Sequence, residues 1–255
     1  MHTLAITDHD TLAAYRELVL GRAMPAAIEL IPGVEINALA KGIPLADGEL
    51  HILGFGMDPA DEAFEAALAK QRSARKIRFE RTVTRLREIG LPIDEHVAHV
   101  DLTRDDALGR PTIARALIAG GHATSVEDAF RRLIGWDGPG FVQRDGMGPR
   151  EAIEAIRAAD GVPVLAHFSE APSQIPLLRE MIGMGLAGLE VFYISYPPAT
   201  VTMVGAVART LKLLATGGSD YHGDLSSYAD AHAGLHVPDS VGERLREAMA
   251  SRTNP

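Results

Sequence analysis

The chain has 255 residues, 46% of them hydrophobic and 23% charged, which is enough for one large α/β domain with an insertion. A net charge of −9 argues against general binding to long nucleic acids. No apolar run approaches the roughly 18 residues of a membrane span, and no signal-peptide pattern opens the chain. With no cysteine there are no disulfides or thiolate metal sites, which suits a cytoplasmic location.

Up to residue 57, apolar runs alternate with helix-like stretches: "LAIT", "TLAAYRELVLGRA", "IELIPGVEI" and "LHILGFG". The middle is helical. "DPADEAFEAALAKQRSARKIRFERTVTRLREIG" has acids in its first turn and Gly90-Leu91-Pro92 to stop it. "RPTIARALIAGG" and "SVEDAFRRLIG" follow, the second opened by Ser125 as a cap with Asp128 three residues on. After the turn-rich "WDGPG", helix and strand alternate again. "PREAIEAIRAAD" precedes "GVPVLAHF", "IPLLREMIGMG" precedes "LAGLEVFY", and "ATVTMVGAVARTL" precedes "KLLATGGSDYH". The pattern predicts βα units in a largely parallel sheet, parts 1–57 and 141–255, around a helical insertion at 58–140.

Each predicted strand carries a titratable residue. "LAIT" leads into Asp8, His9 and Asp10, "PGVEI" carries Glu35, and "GELHILG" carries His51. "VPVLAH" ends at His167, "LAGLE" at Glu190, and "LLATGGSDYH" supplies Asp220 and His222. Parallel α/β folds build their sites at the C-terminal strand ends. One buried histidine is an ordinary hydrogen-bonded core residue. Burying this many ionisable groups uncompensated is costly, and clustered His and carboxylate groups are what borderline divalent cations recruit.

"AITDHDT", "PGVEI", "HILGFG", "RPTIARAL", "VPVLAHF", "GLEVFY" and "GSDYHG" stand in the order of the PHP (polymerase and histidinol phosphatase) superfamily. The sequence most resembles its TrpH-like phosphoesterases, over nearly the whole chain. The resemblance implies a distorted (β/α)7 TIM-like barrel with a helical insertion. It also implies two or three divalent ions (Zn, Mn, Fe or Mg), held by His9, Glu35, His51, His167, Asp220 and His222, with Glu35 as the bridging group. Asp8 and Asp10 are expected to orient His9 in the catalytic site, and Glu190 is expected either to pack or support a ligand or to ligate an ion itself. The family's first motif, Asp-Leu-His-x-His, lies upstream of "TDHD" and is not in this sequence. The expectation is a barrel lacking its first strand and the HxH pair, with fewer ions if that segment is lost.

The implied activity is hydrolysis of phosphate monoesters or terminal phosphodiesters of nucleotides or short oligonucleotides by a metal-activated hydroxide. His222 or a metal-bound water is the candidate proton donor to the leaving group. Arg110, Arg115 and Arg144 match positions where relatives keep basic residues near substrate, and guanidinium suits phosphate. Thr112 stands where many relatives have histidine. The alternatives are a catalytically impaired phosphate- or nucleotide-binding protein with an incomplete metal site, and a histidinol-phosphate phosphatase. The oligomeric state is not legible, and neither a membrane nor a long nucleic acid is expected as a partner.

From Lys70 to Arg87 the sequence carries eight Lys/Arg against Glu80. This is expected to be a solvated helix face, or else an electrostatic guide for short oligonucleotides. His2, His96, His99, His122, His232 and His236 are expected in surface or structural roles. Trp136 is expected to pack the insertion onto the barrel, or to stack on a base.

Overall fold

The computed structural model describes residues 3–21, 28–40, 48–101, 108–221 and 234–252. His2, His222 and His232 lie outside the described residues. The chain divides into two compact units: residues 1–38, 50–64 and 149–255 form the first, and 39–49 with 65–148 form the second. No helix among the described residues is long and apolar enough to cross a membrane.

Six strands form one sheet in the order β1 (Thr3–Ile6), β2 (Glu29–Leu39), β3 (Glu49–Phe55), β4 (Val162–Leu165), β5 (Gly188–Tyr193) and β6 (Leu214–Gly218). β1 and β2 pair in parallel, as do β4 with β5 and β5 with β6. β3 departs from the parallel expectation and runs antiparallel to β4, with Ile52 opposite Leu165 and Phe55 opposite Val162. β2 ends at Leu39 and β3 begins at Glu49, a connection shorter than the dozen or more residues that a parallel crossover requires.

The first unit also holds α1 (Ala13–Gly21), α6 (Pro149–Ala158), α7 (Ile175–Met184), α8 (Pro198–Leu211) and α9 (Asp239–Ala250). These helices follow the apolar spacing of their sequences. In α6, Ala152, Ile153 and Ile156 are buried, a stripe spaced for one helical face. Each buried isoleucine contributes about 1.5–3 kcal/mol by leaving water. The core beneath the sheet gathers Ile31, Leu53, Phe55, Val162, Val164 and Leu245.

The second unit is helical: most of α2 (Glu62–Glu88), then α3 (Asp94–Val97), α4 (Arg110–Ala119) and α5 (Val126–Ala129). Phe79, Leu86, Ile93, Ile113, Leu117 and Leu133 form its core. Ser125 caps α5, its Oγ accepting from Asp128 N at 3.0 Å, as its sequence indicated. The helix then widens into a π turn over Phe130–Ile134, closed by Gly135 N donating to Phe130 O at 2.8 Å. Trp136 lies over Gly48, where a Cβ would come within 2.2 Å of its ring, and 5.2 Å from Phe141. Both neighbours belong to its own unit.

The basic stretch of α2 is not wholly a solvated face, because Arg75 and Arg78 are buried. Arg78 Nη1 donates to Glu49 Oε1 at 2.9 Å, and Arg110 and Arg144 ion-pair with the same carboxylate at 3.5 and 3.7 Å. Burial pulls the Arg78 guanidinium down to about 10; Glu49 opposes this, while Arg110, Arg144 and Arg75 add to it.

Candidate metal centre

The site lies in the first unit and begins where β1 runs out. Glu35 N donates to Asp8 O at 3.0 Å and Asp10 N to Glu35 O at 2.9 Å, so a lone parallel bridge sets His9 beside Glu35. Side chains of bridged neighbours share a face, and His9 Nδ1 stands 3.5 Å from Glu35 Oε2. Gly33 permits the approach, since a Cβ there would lie 2.7 Å from Ile6 O.

His51 arrives from the other direction. It is near the beginning of β3, yet antiparallel pairing carries it to the C-terminal end of β4, where Ala166 N donates to His51 O at 2.9 Å. Its Nδ1 is 2.5 Å from Glu35 Oε1 and 3.0 Å from Nε2 of His167. His167 Nε2 is 3.5 Å from Glu35 Oε1. One buried carboxylate therefore faces three imidazoles.

Donor atoms of Glu35, His51 and His167 lie within 4.8 Å of one another. The set suits a borderline divalent cation, being oxygen and imidazole nitrogen with no sulfur. Two facing ring nitrogens share one proton between them in a hydrogen bond, whereas a cation would engage both lone pairs. The residues fit a metal.

Burial pushes the Glu35 carboxyl upward, but His51, His167 and His9 together hold it well below the usual carboxylate range. Burial lowers the His167 imidazole, and Glu35, Glu190 and Asp220 outweigh it, so the net shift is upward. Glu190 behaves oppositely to Glu35. Its burial raises it to about 7, against a downward pull from His167.

The other expected residues have varied places. Asp220 comes after β6 and accepts from the Tyr193 hydroxyl at 3.1 Å. Asp10 is fully buried and Asp8 exposed, and both hold Glu35 through their main chain. Arg110, Arg115 and Arg144 belong to the second unit. Arg115 is exposed, and Arg144 is fully buried. Nη1 of Arg110 has no hydrogen-bond partner among the described residues. His99 and His236 are exposed, His122 contacts Pro92 O at 3.1 Å, and His96 sits in α3.

Sequence reasoning missed Asn37 and Tyr193. The Asn37 side chain lies 2.8 Å from His51 Nε2; with its amide oxygen turned to that nitrogen it holds the ring proton on Nε2 and leaves the Nδ1 lone pair facing Glu35 for a cation. Outer partners of this kind fix the tautomer of a ligating imidazole. The signal was available, because Asn37 is two residues beyond Glu35 on one strand and so shares its face. Tyr193, 5.5 Å from the His167 ring, gave no comparable signal.

A buried carboxylate ringed by imidazoles at the ends of an α/β sheet has the donor set of a divalent-metal site. No family model matches the chain. It is 31% identical over 227 residues to the 5′-3′ exoribonuclease Rnm of Salmonella typhimurium, covering 86% of this chain and 75% of that protein. It is 29% identical over 243 residues to phosphoribosyl 1,2-cyclic phosphate 1,2-diphosphodiesterase of Eggerthella lenta, covering 92% and 87%. A crystal structure of a Bifidobacterium adolescentis protein assigned as a metal-dependent phosphoesterase superposes with a TM-score of 0.79 at 30% identity, covering 97% of this chain and 86% of that one. The chain belongs to this family of PHP-type metal-dependent phosphoesterases, and it is a hydrolytic enzyme.

Proposed function

We propose that this enzyme hydrolyses phosphate monoesters or terminal phosphodiesters of nucleotides or short oligonucleotides, as a TrpH-like member built on a distorted (β/α)7 barrel. The observation that carries the reading is the Glu35 carboxylate, buried and kept ionised among His9, His51 and His167. The exoribonuclease and the cyclic-phosphate diphosphodiesterase, both named for breaking phosphoester bonds, support it.

In this reading His9, Glu35, His51, His167, Asp220 and His222 hold two or three divalent ions. Bound ions supply charge neutralisation at the phosphoryl oxygens and a lowered pKa for the attacking water. Asn37 keeps Nδ1 of His51 directed into the site, and Asp8 and Asp10 fix the position of Glu35 against His9 through backbone hydrogen bonds. His222 protonates the leaving alcohol. Arg110 and Arg115 contribute guanidinium groups to substrate phosphate, which paired hydrogen bonds from arginine suit; Arg144, the third candidate, is fully buried beside Glu49 and serves to hold that ion-pair cluster.

The test is a turnover panel of a nucleoside 5′-monophosphate, a short 5′-phosphorylated RNA and histidinol phosphate, with Mn or Zn supplied. Turnover of the nucleotide substrates, lost in Glu35→Ala, is the expected result. Turnover of histidinol phosphate alone, or of nothing in the panel, contradicts the proposal.

A further inference from the structure

β5 stands between β4 and β6 in the sheet, and its neighbours supply His167 and Asp220. β5 itself supplies none of the six expected ligands. It does reach both neighbours' residues. Glu190 Oε2 accepts from His167 N at 2.8 Å, and the Tyr193 hydroxyl donates to Asp220 Oδ2 at 3.1 Å.

Both recipients have left-handed backbone, with φ of 29° at His167 and 48° at Asp220. Such conformations persist where the surroundings over-determine them, and they cluster at functional sites. The histidine is the more demanding of the two, since aspartate tolerates this region better. Glu190 meets the histidine at its main-chain N–H, the group whose direction the backbone conformation sets.

Glu190 and Tyr193 are three residues apart, a spacing that places side chains on opposite faces of a regular strand. A bulge resolves this. Glu190 pairs with Thr216, Phe192 with Gly217 and Tyr193 with Gly218, so Val191 is the extra residue. A bulge re-aims the side chains beyond it, and Glu190 and Tyr193 come to oppose Thr216 and Gly218, two residues apart on one face of β6. Gly218 also leaves room for the carboxylate, because a Cβ there would lie 2.8 Å from Glu190 Oε1.

From this juxtaposition we infer that β5 is the positioning strand of the metal centre, its Glu190 fixing His167 and its Tyr193 fixing Asp220 for cation binding. Neither residue is a ligand in this assignment. Glu190 holds a backbone direction, and Tyr193 fixes one carboxylate oxygen of Asp220 and lays its ring 5.5 Å from the His167 imidazole. The inference rests on the proposed role of His167 and Asp220 as ligands.

The experiment is titration of the apo protein with Zn²⁺ or Mn²⁺ against a competing fluorescent chelator, with melting of each apo variant recorded alongside. Tyr193→Phe keeps the ring and removes the hydroxyl. It is expected to melt with the wild type and to bind the ion about 10- to 100-fold more weakly, the range for loss of an outer partner. On an Asp220→Asn background the same change is expected to add little, since the two act as one unit. Glu190→Ala is expected to weaken binding comparably, and Glu190→Gln, which keeps an oxygen for His167 N–H, to restore most of it. Wild-type affinity in both Tyr193→Phe and Glu190→Ala overturns the inference while leaving the ligand assignment intact, as does weaker binding of Tyr193→Phe that only tracks lower apo melting. A wild-type protein that binds no ion overturns both.

Discussion

Nδ1 of His51 stands 2.5 Å from Oε1 of Glu35, the shortest of the three imidazole contacts to that carboxylate. The pair joins β2 and β3, two strands consecutive in the chain and adjacent in the sheet. A buried anion so placed needs cations around it, whether imidazolium protons or a metal.

Glu35→Gln keeps the shape and removes the charge. It is expected to lower kcat/KM by at least about 100-fold, roughly 3 kcal/mol of lost transition-state stabilisation, with a matching loss of bound metal. Activity and metal content measured on one preparation check it.

Glu190 makes apo stability depend on pH. Its folded pKa of about 7 lies above the ordinary value of 4.5, so its contribution is fully present below that ordinary value and is lost as pH rises through about 7. Glu190→Gln mimics the protonated form. The apo variant is expected to match the wild type near pH 4.5 and to exceed it above neutrality, by up to about 3 kcal/mol. Urea unfolding of both proteins across that range is the measurement; a difference that shrinks as pH rises contradicts the sign.

Gly218→Ala places a methyl group 2.8 Å from Glu190 Oε1. Overpacking of this kind costs about 1–3 kcal/mol. The expected result is a lower Tm together with weaker metal binding, since Glu190 must move. Unchanged melting would show that the carboxylate can give way freely.

In the second unit Glu49 is the shared partner of Arg78, Arg110 and Arg144. Removing one partner of a buried ion pair typically costs about 3–5 kcal/mol, because the other charges stay behind. Glu49→Gln is expected to lower the urea midpoint accordingly, with an m-value near that of the wild type.

Much of the fold and site was legible in the sequence, for physical reasons. Short apolar runs such as "VPVLAH" and "LAGLEV" became β4 and β5, since a run bounded by helix and turn residues has little other choice. The histidines and Glu35 stood out because charge inside an apolar run needs a partner. The direction of β3 was not marked in its own residues; it comes from the connection to β2. Arg75 and Arg78 read as solvated until folding brought Glu49 to Arg78. The pairing of Tyr193 with Asp220 depends on a bulge, which no local pattern in "GLEVFY" announces. His222 lies outside the described residues.

The most direct test of the central claim is calorimetric titration of the metal-free chain with Mn²⁺ or Zn²⁺, beside Glu35→Ala and His167→Ala. Tight uptake of two or more ions by the wild type, and loss of at least one in each variant, is the predicted result. Uptake unchanged by either substitution, or none by the wild type, would contradict the account.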